Sequence, residues 1–140
     1  MNVKELMHKA TVMDKDMSVS DAAKLMSEKN IGSVLVKKDG CIMIITERDI
    51  LTKVVALGKD IDKTKVSDVM NKCAHIIDSD SDVFEASNLF NKHNIRRLPV
   101  AEKGEIIGMV TARDVAKSLI YLSLKADIHK RATYTRTEYR

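Results

Sequence analysis

Two stretches of the chain carry the same chemically capable side chains at the same spacing. Thr46-Glu47-Arg48-Asp49 follows one apolar run, and Thr111-Ala112-Arg113-Asp114 follows another, 65 residues further on. A Thr and an Asp three residues apart at a strand-to-helix junction can form a capping box. The Thr hydroxyl accepts from the backbone N–H of the third helical residue, and the acid reaches back to the Thr N–H. The acid also suits the positive end of the helix dipole. The same carboxylate can instead accept two hydrogen bonds from the adjacent hydroxyls of a sugar. Charge-assisted bonds of that kind are worth roughly 1.5–3 kcal/mol each. The free N–H groups of the helix start favour anions besides. One residue can cap a helix and touch a ligand at once, so the two readings compete only in part.

The elements that position these residues are written twice. Shifted by 64, Asp14–Val36 lies over Asp78–Val100, with Asp14, Asp16, Val19, Ala22, Leu25, Asn30, Ile31 and Val36 matching identical partners. Further on the shift is 65, aligning Ile42, Thr46, Arg48 and Asp49 with Ile107, Thr111, Arg113 and Asp114. Upstream it is 63, aligning Val3 and Met7 with Val66 and Met70. Turns are the expected places for these one-residue changes, since insertions cost least there. Self-similarity at this period means two copies of one unit of about 60 residues, each too short to bury much core alone. Two units packed with a pseudo-twofold relation are expected: unit 1 at residues 1–62, unit 2 at 63–125, and a basic tail at 126–140.

Each copy reads β-α-β-β-α, an α/β unit. A short extended piece (Thr11–Met13; His75–Ile77) precedes a helix whose apolar residues in the first copy fall at i, i+3, i+4 and i+7 (Val19, Ala22, Ala23 and Met26), of which the second copy keeps Val83, Ala86 and Phe90. Ser18 or Ser20, and Asp80 or Asp82, suit the N-caps, and Asn30 and Asn94 the helix ends. A strand, a Gly-containing hairpin turn (K-K-D-G; E-K-G-E) and a return strand follow. The second helix starts at T-x-R-D. Its expected buried face is Ile50, Leu51, Val54 and Val55, or Val115, Ala116, Leu119 and Ile120.

The doubled unit, with H-N-I-R-R-L-P-V before the second hairpin and I-I-G-M-V-T-A-R-D after it, resembles the CBS domain family, named for cystathionine β-synthase. Its tandem pair is called a Bateman module. The resemblance spans about Val3–Leu124 and occurs in both halves. It implies a cleft between the units that receives an adenosine ligand: AMP, ADP, ATP or S-adenosylmethionine. Carried over, Asp114 and Asp49 are the ribose candidates, with Thr111 and Thr46 as helpers. Arg96 and Arg97 become phosphate ligands, for which a planar guanidinium fork is suited; the ordinary alternative is surface salt-bridging. Thr11, Val12, His75 and Ile76 occupy the matching places beside the base, although Val12 and Ile76 also fit a plain core. The first copy departs from the pattern. Gly32 and Ser33 replace the Arg pair, Leu35 the Pro, and Met43 the equivalent of Gly108. One good site at Asp114, Thr111 and the Arg pair is therefore expected, with a weaker or composite second site at Asp49 and Thr46.

The remaining features are bland. Apolar content is 44% and aromatic content 4%, so the core is aliphatic and offers little base-stacking surface for single-stranded nucleic acid. The net charge of +4 owes much to Lys125–Arg140, where five basic residues face two acidic ones. Cys41 and Cys73 have no C-x-x-C spacing and read as reduced thiols. His8, His93 and His129 read as solvated, and Arg48 and Arg113 point to solvent or phosphate. The acidic run Asp78–Asp82 lacks the Gly and terminal Glu of a calcium loop, so it reads as capping turns and no metal is expected. No nucleophile–base pair or cofactor fingerprint is present, so the chain is not expected to be an enzyme. Without a membrane span or leader, a cytoplasmic location is expected. The expected function is a regulatory nucleotide-sensing module, a homodimer, that signals to a separate partner protein. The alternative is a protein or nucleic-acid adaptor with vestigial nucleotide sites, using the basic tail at Ala126–Arg140.

Overall fold

The computed structural model describes residues 1–138, with side chains through Ala132. A single 3₁₀ turn, Val3–Glu5, comes first. Then follow β1 (His8–Lys9), β2 (Val12–Met13), α1 (Val19–Lys29), β3 (Ser33–Lys38), β4 (Cys41–Thr46), α2 (Glu47–Ile50), β5 (Asn71–Lys72), β6 (Ile77–Asp78), α3 (Val83–His93), β7 (Arg97–Glu102), β8 (Glu105–Thr111) and α4 (Ala112–Glu138). A π turn, Leu51–Val55, continues α2, and a second 3₁₀ turn, Val66–Asp68, precedes β5.

The chain divides into two compact α/β units, Lys9–His75 and Met1–His8 together with Ile76 onward. The division by packing thus differs from the division by repeat. Val3 is fully buried in the core of the second unit, with Ile77, Ala86, Phe90, Leu98, Val100, Val110 and Val115. Its repeat partner Val66 is fully buried in the first, with Val19, Ala22, Met26, Val34, Val36, Ile45 and Val54. The backbone bonds of the two turns repeat as well. Val3 N–H donates to Ser81 O at 2.8 Å, and Val66 N–H to Met17 O at 2.9 Å. Each copy's leading turn therefore completes the unit built around the other copy's helices.

Each unit has a four-stranded sheet, ordered β2-β3-β4-β5 in one and β1-β8-β7-β6 in the other. β2 lies parallel to β3 and β6 parallel to β7, whereas the hairpins β3–β4 and β7–β8 are antiparallel. Both hairpins close through two residues with positive φ, Asp39 (46°) and Gly40 (79°), or Lys103 (50°) and Gly104 (80°). That is type I′ geometry, whose twist matches the strands. α1 and α3 are capped by Ser18, accepting from Asp21 N–H at 3.0 Å, and Asp82, accepting from Phe84 N–H at 2.8 Å. Both end on an Asn in left-handed conformation, Asn30 and Asn94.

Three expectations are corrected. The extra residue of the second hairpin is not in the turn, because both loops have the same length. It lies in β8, where Val100 pairs with Gly108 and Ala101 with Ile106, leaving Ile107 as a bulge. A bulge absorbs an inserted residue without changing the turn. The second helices bury only half the expected face. Val54 and Val115 are buried and Ile50 and Leu119 pack beside them. Leu51, Val55 and Ile120 are more than half exposed, and Ala116 is exposed, because one i, i+4 pair per helix suffices to cover the sheet. Finally, α4 continues through Glu138, so the expected tail is helical from Ala126. The side chains of Thr133–Arg140, including Arg136 and both tail tyrosines, lie outside the described residues.

Candidate functional site

β4 ends at Thr46 and β8 at Thr111, and in each unit a helix starts on the next residue. Extended backbone at Thr46 turns into helix at Glu47, which puts Asp49 at the third helical position of a capping box. Thr46 Oγ1 accepts from Asp49 N–H at 3.2 Å, and Thr111 Oγ1 accepts from Asp114 N–H at 3.2 Å. Both T-x-R-D stretches therefore cap their helices.

The carboxylates differ in what else they hold. Asp49 Oδ2 accepts from Thr46 N–H and Thr46 Oγ1–H, both at 2.9 Å. Asp49 Oδ1 accepts from Asn71 Nδ2 at 2.9 Å and from Lys53 Nζ at 3.2 Å. Two donors on each oxygen use the whole acceptor capacity of a carboxylate. Lys53 is tied further, to Asn71 Oδ1 at 2.9 Å and Val69 O at 3.1 Å. Burial raises the Asp49 pKa, but the Thr46, Asn71 and Lys53 hydrogen bonds outweigh it and hold the group below its ordinary 3.8.

Asp114 Oδ2 accepts from Thr111 Oγ1–H at 2.6 Å and from His8 Nε2 at 3.0 Å. An ionised carboxylate only accepts, so His8 Nε2 carries the proton of that bond. Among the described residues Asp114 Oδ1 has no partner. The side chain is 23% exposed, against 12% for Asp49. Burial again raises the pKa, and the bonds from Thr111 and His8 with the His8 charge bring it below the usual value.

The difference traces to single positions. The 63-residue shift sets His8 over Asn71, and each reaches the acid of its own unit. The 65-residue shift sets Lys53 over Ser118, whose buried hydroxyl donates to Val115 O at 2.8 Å in its own helix. The second copy thus lacks the Lys that fills Asp49 Oδ1. Gly108 is a further position at which the copies differ. A Cβ there would lie 2.7 Å from Met7 Sδ and 2.8 Å from His8 O, so the missing side chain lets the N-terminal segment lie against β8. The repeat shifts align His8 with Asn71 and Lys53 with Ser118, but they do not show that any of these side chains reaches an acid. His8 is largely solvated, as expected, and in addition bonds Asp114.

In the second unit Arg97 pairs across the β7–β8 ladder with Thr111, so the two side chains share a face as cross-strand neighbours. Arg97 is half-buried and Arg96, just before the strand, is exposed. Neither guanidinium has an ion-pair or hydrogen-bond partner among the described residues. Thr111, Asp114 and Arg97 are thus gathered in one unit. Thr46 and Asp49 are gathered in the other, where Ser33 stands across from Thr46. Thr11 and Val12 lie at the β2 edge of the first unit. Thr11 O accepts from Leu35 N–H at 2.9 Å, and Val12 is 46% exposed rather than core. His75 is half-buried and has an interaction partner. Ile76, at the start of the second unit's main segment, is also 46% exposed.

Other features stand apart from these acids. A groove of about 360 Å³ between α1 and α2, lined by Ala23, Met26, Ile31 and Ile50 among others, does not include Asp49. Burial pushes the Cys73 thiol up to about 11, so it stays protonated at neutral pH. Asp78 and Asp82 accept from the Asp80 and Phe84 N–H groups, as turns and caps do. No helix among the described residues is long and apolar enough to cross a membrane.

Fold and site together define a tandem pair of small α/β units, each carrying an acid at the start of its second helix. The CBS domain model matches residues 3–56 and 66–121, and the chain belongs to the CBS-domain family as a CBS domain pair, generally a regulatory module. Such domains typically bind adenosine ligands. The chain is 41% identical over 100 residues to an uncharacterized protein of Methanopyrus kandleri, covering 69% of this chain and 51% of the relative. It is 35% identical over 112 residues to the mitochondrial CBS domain-containing protein CBSX3 of Arabidopsis thaliana, covering 76% and 54%. The chain therefore spans about half the length of these relatives. A hexameric CBS-CP12 protein from bloom-forming cyanobacteria superposes with a TM-score of 0.76 at 28% identity, over 83% of this chain and 66% of that one.

Proposed function

We propose that the chain is a sensor of an adenosine-containing ligand (AMP, ADP, ATP or S-adenosylmethionine), gripped at Asp114. The carboxylate takes the ribose hydroxyls, Thr111 orients it, and Arg97 with Arg96 receives phosphate. One observation carries the reading: among the described residues Asp114 Oδ1 at a helix start and the Arg97 guanidinium, whose residue pairs with Thr111 across the ladder, have no partner, whereas Asp49 is saturated. Ile76, 46% exposed in the same unit as Asp114, offers apolar surface for a base. Asp49 and Thr46 form at most the weaker site, since a sugar there must displace Lys53 or Asn71.

Signalling follows from differential affinity, because a ligand shifts a conformation only as far as it binds one state better. The receiver is a separate protein. Leu51, Val55, Ile120 and Leu124, each more than half exposed, supply apolar surface for a homodimer, in keeping with oligomerisation in the hexameric relative.

Calorimetry with AMP, ATP and S-adenosylmethionine tests the reading. Asp114→Ala is expected to cost about 2 kcal/mol of affinity, roughly 30-fold. Asp49→Ala should cost less in binding, and 2′-deoxy ligands should bind the wild type more weakly. Equal losses from the two substitutions would contradict a single dominant site, and no binding of any of the three ligands would overturn the sensor reading.

A further inference from the structure

We infer that His8 competes with the sugar for Asp114 and so sets how strongly this module prefers a ribose diol over a deoxy sugar. The inference rests on Asp114 being the sugar-binding acid and adds to it a residue that the repeat motif does not contain.

A diol gripped by a carboxylate places one hydroxyl on each oxygen. Oδ1 of Asp114 has room for a donor. Oδ2 already accepts from Thr111 at 2.6 Å and His8 at 3.0 Å, and two donors fill the in-plane capacity of one oxygen. A bidentate diol therefore requires one of them to leave. Thr111 is the poorer candidate. It ends β8, its bond is the shorter, and its hydroxyl also accepts the Asp114 N–H at 3.2 Å. His8 is the better one. Its side chain is 68% exposed, so water replaces the lost bond at little cost, as for exposed ion pairs generally.

The backbone keeps the ring within reach. His8 lies in a two-residue edge strand next to β8, and its carbonyl would meet a Cβ at Gly108 at 2.8 Å. The main chain is thus packed close, while the imidazole is largely exposed to solvent that can take over its bond. The twin site has no such donor to spare. Asn71 and Lys53 hold each other as well as Asp49, and Lys53 also holds Val69 O. A ligand that offers one hydroxyl needs only Oδ1 and leaves His8 where it is. Competition therefore weakens diol ligands and spares deoxy ligands, narrowing the preference between them.

The test compares AMP and 2′-deoxy-AMP by calorimetry on wild type, His8→Ala, His8→Ser and His8→Asn. Removing the imidazole should tighten AMP about three- to fivefold, as the loss of one exposed competing pair predicts, and change 2′-deoxy-AMP by less than about twofold. His8→Asn, the residue of the twin site, keeps a donor and should stay near wild type. The Ser variant guards against a folding defect peculiar to Ala. AMP binding that is unchanged or weaker in both short variants, or an equal gain for both nucleotides, would overturn the inference while leaving the Asp114 reading intact. If neither nucleotide binds any variant, the sugar-site reading fails and this inference with it.

Discussion

The two T-x-R-D junctions use the same three side chains and leave them in opposite conditions. At Asp49 four donors close the carboxylate, two of them from Lys53 and Asn71. At Asp114 two side-chain donors share one oxygen, with the Thr111 N–H also favouring the charged carboxylate, and among the described residues no hydrogen bond fills the other oxygen. The difference teaches that the capping box alone does not decide whether an acid is structural or available. The neighbours one turn later in the helix and on the edge strand decide it. Lys53 against Ser118, and Asn71 against His8, close one motif into a brace and leave its copy with an acceptor to spare.

The comparison breaks most visibly in stability. Asp49→Ala removes a cap and leaves Asn71, Lys53 and the Thr46 N–H short of an acceptor. A loss of about 2–3 kcal/mol is expected, against about 1 kcal/mol for Asp114→Ala, whose donors are more exposed. Urea unfolding with unchanged m-value measures both. Equal losses would show that the saturation of Asp49 has no energetic weight. In binding the order reverses, so each acid is expected to be the sensitive one in a different assay.

Much of this architecture is legible from spacing. The two copies, the α/β order, a cap at Ser18 or Ser20 and at Asp80 or Asp82, and the Asn ends of α1 and α3 follow from local rules that each residue satisfies near its own backbone, and the structure settles the caps as Ser18 and Asp82. Membership of the CBS family was equally readable, because the motifs recur in order. What escaped depends on contacts distant in sequence. Asp114 meets His8 across 106 residues, and no periodicity points from one to the other. The bulge at Ile107 escaped because a shift of register in an alignment does not say whether a turn or a strand takes the extra residue. The half-exposed helix faces escaped because periodicity reports which residues share a stripe, not how much of the stripe the sheet covers.

Gly108 sharpens the comparison next. Copy one has Met43 at the corresponding place, paired with Lys72 of β5. In the second copy an added methyl meets backbone, the His8 carbonyl, as well as the yielding Met7 thioether. Gly108→Ala is expected to cost about 1–2 kcal/mol, the scale of a modest overpacking. It should also move His8 off Asp114, visible as altered chemical shifts of the His8 ring. A variant as stable as wild type with an unmoved ring would show that the close approach is incidental.

Acid should act on both junctions in the same sense. Each acid has its folded pKa below 3.8. A depressed carboxylate contributes stability that is fully present above its unfolded pKa and lost as pH falls through the folded value. Unfolding free energy should therefore fall below about pH 4, and Asp49→Asn should flatten that limb because the amide cannot lose a charge. An acid limb as steep in Asp49→Asn as in wild type would assign the loss to other groups.

The smallest expected effect comes from giving copy one the residue of copy two. Lys53 is 40% exposed and its bond to Asp49 is an i, i+4 pair, so Lys53→Ser should cost only about 0.5–1 kcal/mol. Its consequence for chemistry is larger than for stability. Asp49 Oδ1 would keep Asn71 and regain one acceptor position, which is closer to the condition of Asp114. A second, weaker AMP site titrating in calorimetry of this variant, absent from Lys53→Arg, is expected if Lys53 is what closes the first copy. Should the Ser variant bind as wild type does, Asn71 and Thr46 alone must suffice to close Asp49, and the contrast between the copies would rest on Asn71 and His8 instead.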